Sequence, residues 1–363
     1  MQVVFRVDAS VQIGSGHVMR CLTLADRLRE RGADVLFVCR ELVGNLNAVI
    51  TGRGYALSQL PAPQEPLCRS EWNRHSAWLE VDREHDAEQT LVCLQGLTER
   101  VEWLVVDHYA LDREWEARMR SAVGNILVID DLADRLHDCD LLLDQNLHAD
   151  QETRYTGLVP SSCEQLLGPR FALLRPEFAE ARNALKPRDG RVRRILVFLG
   201  GSDPGNATGK VLAALKELNR PGIAVDLVVG VQSPHVESLR QQCSELSQIV
   251  WHENVVAMAS LMLSADLAIG GGGTTTWERC ALELPTVIIS LAENQTPISA
   301  EVAKRGGAIF LGAQSHVDVE HLFLALKELL IHPVRLKKIG MCAGNLVDTE
   351  GLNRVVGRME SLQ

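Results

Sequence analysis

Twice along this chain, a short β-branched run ends in a turn of small residues and opens straight into a helical stretch. Val3–Val7 leads to Gly14-Ser15-Gly16-His17, and Arg194–Leu199 leads to Gly200-Gly201-Ser202-Asp203. Short buried runs alternating with longer amphipathic stretches are the pattern of parallel α/β architecture, in which each strand needs a crossover helix to reach the next. In the first half, Val3–Val7, Val35–Cys39, Trp103–Asp107, Ile126–Ile129 and Leu141–Leu143 read as strands. Val18–Arg31 carries Leu22, Ala25 and Leu28 at helical spacing and stops at Gly32, a C′ glycine.

Residues 180–193 change character: they are polar, hold Pro187 and Gly190, and read as a linker following a helix. A second series starts at once, with a helix over Asn206–Leu218 and strands at Val225–Val229, Ile249–Trp251, Leu267–Ile269 and Thr286–Ile289. Helical patterns over Val317–Leu330, Pro333–Leu346 and Leu352–Leu362 close the chain. The length of 363 residues exceeds the roughly 250–300 at which a single core stops growing. We therefore expect two Rossmann-like domains in series, 1–186 and 187–345, with 346–363 as a final helix that packs back on the first. Residues Pro61–Trp78 fit neither period and read as an excursion near a cleft.

A formal net charge of -10 argues against nucleic acid as a partner, which requires a basic stripe. It leaves room for a small anion, because backbone N–H groups at a helix N-terminus hold phosphate with little help from Lys or Arg. The nine cysteines are scattered, with no C-x-x-C pair and no zinc spacing, as expected of core thiols in a reducing cytoplasm. No apolar stretch reaches the roughly 18 residues that suggest a membrane span. The chain begins directly on its first strand, without signal-peptide character. The expectation is a cytoplasmic monomer with no membrane partner.

Five segments could carry chemistry, each just past a strand, where open α/β sheets bind ligands. In Asp8-Ala-Ser-Val-Gln-Ile-Gly14-Ser-Gly16-His17-Val-Met-Arg20, two glycines allow close approach to a ligand. His17 opens a helix, where the macrodipole favours a neutral ring able to accept a proton; a turn with a locally bonded histidine accounts for the same residues. The loop is not G-x-G-x-x-G, so a dinucleotide cofactor is a poor match. In Gly270-Gly271-Gly272-Gly273-Thr274-Thr275-Thr276-Trp277-Glu278, a glycine run followed by threonines at a helix start is an anion-site signal. The Walker lysine is missing. Gly200-Gly201-Ser202-Asp203-Pro204-Gly205-Asn206 could wall a phosphate pocket or simply turn the chain. Asn294 and Gln295 offer amides to sugar groups, or a helix cap. Asp107-His108-Tyr109 ends a strand with three polar groups; Asp130-Asp131 suits a turn or cap better than a metal.

Together these residues resemble the UDP-2,4-diacetamido-2,4,6-trideoxy-β-L-altropyranose hydrolases of pseudaminic acid biosynthesis. The resemblance runs from Arg6-Val-Asp-Ala-Ser and Ile13-Gly-Ser-Gly-His-Val-Met-Arg through Trp78-Leu, Val106-Asp-His-Tyr, Ile129-Asp-Asp-Leu-Ala and Leu143-Asp-Gln-Asn. It continues in Leu167-Gly-Pro-Arg-Phe, Gly200-Gly-Ser-Asp-Pro, Gly271-Gly-Gly-Thr-Thr-Thr-Trp-Glu-Arg-Cys and Ala292-Glu-Asn-Gln. It implies a B-type glycosyltransferase-like fold with a deep interdomain cleft, and inverting hydrolysis of a UDP-linked diacetamido sugar without metal or cofactor. It also implies that His17 activates water, that Tyr109 and Asn294 act beside it, and that Glu278 binds ribose. Gly14, Gly16, Arg20, Gly201, Ser202, Gly272, Gly273, Thr274, Thr275, Thr276 and Gln295 complete the expected UDP-sugar site. A UDP-sugar glycosyltransferase related to the peptidoglycan GlcNAc transferase is the alternative, and a non-catalytic nucleotide-sugar sensor a third reading; fold alone does not separate them.

Overall fold

The computed structural model describes residues 1–63, 72–230, 233–253, 255 and 257–362, which leaves Cys68 and part of the Pro61–Trp78 excursion outside the described residues. The chain forms two compact units. One comprises Met1–Asn146, Asp150–Leu173 and Gly351–Gln363; the other comprises Leu147–Ala149 and Leu174–Glu350.

The first unit carries β1 (Gln2–Val7), β2 (Asp34–Arg40), β3 (Ala56–Leu60), β4 (Val101–Asp107), β5 (Val123–Ile129), β6 (Leu141–Asp144) and β7 (Glu164–Leu167). They form one sheet in the order β3-β2-β1-β4-β5-β6-β7, every neighbouring pair parallel. The second carries β8 (Arg194–Phe198), β9 (Ala224–Val229), β10 (Ile249–Glu253), β11 (Leu267–Gly271), β12 (Thr286–Ser290) and β13 (Ile309–Ala313). Their order is β10-β9-β8-β11-β12-β13, again parallel throughout. The winding direction reverses between β1 and β4 in one sheet and between β8 and β11 in the other. At such switch points the loops leaving neighbouring strands diverge and open a crevice at the strands' carboxyl ends.

The strands that sequence reasoning missed, β3, β7 and β13, are all sheet edges. Each buries few of its residues, so none shows the apolar run that betrays a central strand. The final helix, Gly351–Ser361, belongs to the first unit. Leu352, Val355, Val356 and Met359 form a stripe at helical spacing within the core built by Leu22, Ala25 and Trp103. The indole N–H of Trp103 donates to the Met359 carbonyl at 3.2 Å.

Residues 174–186 group with the second unit rather than the first. The polar stretch 180–193 reads as a linker, but two of its arginines are ties. Arg182 donates to the carbonyls of Ala281 and Gly344 at 2.5 and 3.1 Å. Arg188 donates to those of Met262, Ala265, Leu282 and Glu283 at 2.7–3.1 Å. Several of these carbonyls end helices, where they lack intrahelical donors, so guanidinium is a fitting partner.

The first turn is anchored by a buried ionic network under β1. Arg6 pairs with Asp8 at 2.7 Å and Asp86 at 2.6 Å, and Arg40 pairs with Asp86 at 2.7 Å. The Arg40 amide donates to Asp8 at 2.6 Å and the Trp115 indole to Asp86 at 3.0 Å. Two guanidiniums thus face two carboxylates, which meets the cost of taking all four from water. His108 stands beside them, its Nδ1 accepting from the Ala110 amide at 3.1 Å and its Nε2 3.4 Å from Asp8. Burial pulls the imidazole down to about 4 despite Asp8's charge.

The folded pKa of His108 therefore lies below the unfolded value near 6.5. The unfolded chain takes the proton first, so this group's contribution to stability falls as pH drops from about 6.5 towards 4. His108→Gln removes that part: urea denaturation at pH 7 and pH 4.5 should show a pH penalty smaller by on the order of 2 kcal/mol than in the parent chain.

Candidate active site

Each switch point carries half of the sequence-predicted site. In the first unit, Ser10 shapes the turn after β1. Its hydroxyl accepts from the amides of Gln12 and Ile13 at 3.2 and 3.0 Å, and its carbonyl accepts from Gly14 at 2.8 Å. Gly14 then sits at φ +80°, which only glycine adopts without strain. The helix Gly16–Glu30 follows and places His17 and Arg20 one turn apart on one face.

Both side chains meet Asp107, the last residue of β4. His17 Nδ1 lies 2.6 Å from Asp107 Oδ1. Arg20 donates to both carboxylate oxygens, Nε to Oδ2 at 2.6 Å and Nη2 to Oδ1 at 2.7 Å. The Cys21 thiol adds a contact to Oδ2 at 3.4 Å. A carboxylate only accepts, so Nδ1 carries the proton and the lone pair is on Nε2. The 3.3 Å approach of Arg20 Nη2 to Nδ1 is then a meeting of two donors rather than a hydrogen bond. Burial alone would raise Asp107; Arg20 and His17 outweigh it and hold the carboxyl well below the usual carboxylate range. The imidazole is thereby oriented and its tautomer fixed by an ionised partner, an arrangement that leaves Nε2 free to accept a proton.

Tyr109 packs its ring edge-on against His17, with centroids 4.7 Å apart at 83°. Its hydroxyl is turned to Asp131, which in turn accepts from the Asn146 amide at 2.9 Å. Burial and then the Asp131 charge push the phenol well above its usual value, so it stays a protonated donor. Burial also raises the Asp131 carboxyl, against the pull of Arg20.

In the second unit the glycine run ends β11 and leads into the helix Thr275–Ala281. Two of these glycines are required by packing. A Cβ on Gly270 would strike Arg279, and one on Gly272 would strike the Ser299 hydroxyl; Gly273 is open except for Gln295 Nε2 at 3.5 Å. Gln295 ties the turn to the loop after β12, its Oε1 accepting from Gly272 at 3.2 Å and Leu291 at 2.9 Å. Asn294 precedes it at the helix N-cap position, without a side-chain capping bond.

Arg279 lies buried beneath the turn. Its Nη2 donates to the Gly271 carbonyl at 2.6 Å and the Thr276 hydroxyl at 3.1 Å, and its Nη1 donates to the Thr275 hydroxyl at 3.0 Å. Burial lowers the guanidinium to about 10, which leaves it charged at neutral pH. No carboxylate among the described residues forms an ion pair with it. Glu278 is engaged instead by Arg175 at 3.2 Å, and burial raises its carboxyl against that arginine's pull. The turn therefore sits over a buried positive charge. A seven-residue helix brings only a modest macrodipole, so this guanidinium is the larger source of positive potential.

Residues 195–344 match the model of the glycosyltransferase family 28 C-terminal domain. The matched residues lie within the second unit. The chain is also 26% identical to the UDP-2,4-diacetamido-2,4,6-trideoxy-β-L-altropyranose hydrolase of Campylobacter jejuni, over 84% of this chain and 97% of that protein. It is 34% identical over 199 residues to the spore coat polysaccharide biosynthesis protein SpsG of Bacillus subtilis, a match that covers 54% of this chain and 58% of the relative. Among solved structures, MurG of Acinetobacter baumannii superposes with a TM-score of 0.67 at 15% identity, covering 99% of each chain. The fold is that of the B-type glycosyltransferases, with two parallel-sheet α/β domains, and the hydrolase resemblance read from the motifs extends over most of the chain.

In the second unit, Gly272, Gly273, Thr274 and Thr275 edge the β11 turn, whereas Thr276 faces inward. Its side chain is buried and its amide is taken by the Gly273 carbonyl at 2.9 Å. The start of the helix Ala207–Leu218 is likewise closed to a phosphate. Asp203 accepts from the Ala207 and Thr208 amides at 2.9 and 2.8 Å, and Asn206 accepts from Gly209 at 3.1 Å. A carboxylate already occupies that anion site, so of the expected wall only Gly201 and Ser202 remain available. Arg20, expected to touch substrate, pairs with Asp107 in this structure. Asp107 and Arg279 are the residues that sequence reasoning left without a role. Among the described residues no helix is long and apolar enough to cross a membrane.

Proposed function

We propose that this chain hydrolyses a UDP-linked, N-acylated deoxyhexose at its anomeric carbon, as a cytoplasmic monomer. The His17–Asp107 contact at the first switch point carries the reading. An imidazole with Nδ1–H fixed on an ionised carboxylate is set to take a proton through Nε2. Water attacks C1 as its proton passes to His17, the C1–oxygen bond to the diphosphate breaks, and UDP leaves with the bonding pair, inverting the anomeric centre. Gly272–Thr275, with Gly201 and Ser202 opposite, cradle the diphosphate, and Arg279 offsets the charge that grows on it. Glu278 takes ribose hydroxyls, while Asn294 and Gln295 meet the sugar. The scheme assigns no step to a metal or cofactor. Tyr109 serves by holding the imidazole ring, and Gly14 and Gly16 bring backbone up to the substrate.

The protein incubated with the UDP-sugar alone should release UDP and free sugar in equal amounts. Release only when an acceptor alcohol is supplied would instead establish a glycosyltransferase, the reading favoured by the family 28 match. Binding without release would point to a sensor.

Arg279 gives this scheme a quantitative check. Arg279→Met should weaken UDP roughly tenfold or more in calorimetry, because a buried charge a few ångströms from an anion is weakly screened. Arg279→Lys, which keeps the charge but loses the fork, should retain part of that affinity. Unchanged UDP binding in both variants would remove Arg279 from the diphosphate site.

A further inference from the structure

Beside His17 stands an aromatic wall of which the scheme above uses only Tyr109. Trp78 lies on the short 3-10 turn Ser76–Leu79, its ring centroid 6.2 Å from His17 at 83°. It lies 5.3 Å from Tyr109 at only 30°, and His75 packs against both rings, 4.7 Å from Trp78 and 5.3 Å from Tyr109. Trp78 and His75 are half-buried. The wall is held in place by bonds to the β4 loop that also carries Tyr109. Trp72 Nε1 donates to the Ala110 carbonyl at 2.8 Å, Asn73 Nδ2 donates to the Tyr109 and Ala110 carbonyls at 3.3 and 3.2 Å, and Asn73 Oδ1 accepts from the His75 amide at 2.8 Å.

Two of the polar groups here are already used. Tyr109 gives its hydroxyl to Asp131 and Arg20 is bound to Asp107, while burial lowers the His75 imidazole. Beside the imidazole of His17 stand the aromatic faces of Trp78 and Tyr109. A fully hydroxylated pyranose would press unsatisfied hydroxyls against those faces, whereas a deoxy carbon or an acyl methyl would not.

We propose that Trp78 is the specificity-determining residue of this site: its indole, backed by Tyr109 and flanked by His75, receives the apolar C–H face and methyl groups of a 6-deoxy, N-acylated hexose and holds C1 towards His17. This rests on the UDP-sugar reading above. An apolar pocket rejects an added hydroxyl only weakly, so the preference over UDP-glucose should lie between about tenfold and a hundredfold.

The test uses calorimetry in the full-length chain, with His17→Ala throughout to prevent turnover, and UDP, UDP-glucose and a UDP-2,4-diacetamido-2,4,6-trideoxyhexose as probes. Trp78→Ala should cost the diacetamido sugar roughly tenfold in affinity and leave UDP unchanged. Trp78→Phe should recover most of that loss, and Trp78→Leu, which restores bulk without a π-face, should not. The proposal is overturned if Trp78→Ala leaves the ratio of sugar-nucleotide to UDP affinity unchanged, if Leu serves as well as Phe, or if the diacetamido sugar binds no better than UDP-glucose. Turnover of the parent chain separates the two claims. Sugar discrimination through Trp78 without UDP release defeats hydrolysis and keeps the platform; UDP release without that discrimination does the reverse.

Discussion

Asp107→Asn is expected to lower turnover of the UDP-sugar roughly 10³–10⁴-fold while leaving UDP affinity within about twofold. The asparagine can satisfy Arg20 only through its carbonyl oxygen, which turns its amide N–H₂ towards His17 Nδ1. Nδ1 must then accept, the proton moves to Nε2, and the ring presents a donor where the reaction needs a base. Arg20 also loses its counter-charge in a buried site, which should cost about 3–5 kcal/mol of stability. The kinetics are therefore to be compared well below the variant's melting temperature, with titration by UDP to count folded sites. Turnover within tenfold of the parent would show that the Asp107 contact does not set the working tautomer.

His17→Ala follows in size. Removing a general base should cost about 10²–10⁴-fold in turnover, and UDP affinity should not change, because the proposed nucleotide contacts all come from the second unit. Stability should change little, since an alanine at the second residue of the helix Gly16–Glu30 keeps the helix and leaves Asp107 paired with Arg20. The outcome against the assignment is loss of UDP binding with turnover per bound substrate retained. That would make His17 a binding residue.

The fold was legible because central parallel strands announce themselves: β1, β4, β8 and β11, the four that flank the switch points, are near-continuous apolar runs. Three of the four edge strands, β3, β7 and β13, were not, because each buries too little to impose a pattern; the fourth, β10, was read at Ile249–Trp251. Half of the site was legible for a related reason. Gly14-Ser-Gly-His17 and the run Gly270–Gly273 are local events, a turn and a helix start, written in adjacent residues.

Asp107 was visible only as a polar residue at a strand end. Its pairing with His17 spans ninety positions and exists because β4 lies beside β1, a fact of strand order that no local spacing encodes. Arg279 did leave a trace, standing four residues after Thr275 and three after Thr276 on one helix face, the spacing at which its guanidinium reaches both hydroxyls. In the turn Gly200–Asn206 the composition suits an anion or a plain turn alike, and Asp203 accepts from the amides at the helix start.

The central claim is that an imidazole held by Asp107 aims water at the anomeric carbon of a UDP-bound sugar. The most direct measurement is hydrolysis in ¹⁸O-labelled water with no acceptor present, followed by mass analysis of both products. The account predicts one labelled oxygen at C1 of the released sugar, none in UDP, and loss of both products in His17→Ala. Label in UDP would place the attack at phosphorus, and an absence of product until an acceptor alcohol is added would show that water is not the nucleophile; either result contradicts the account.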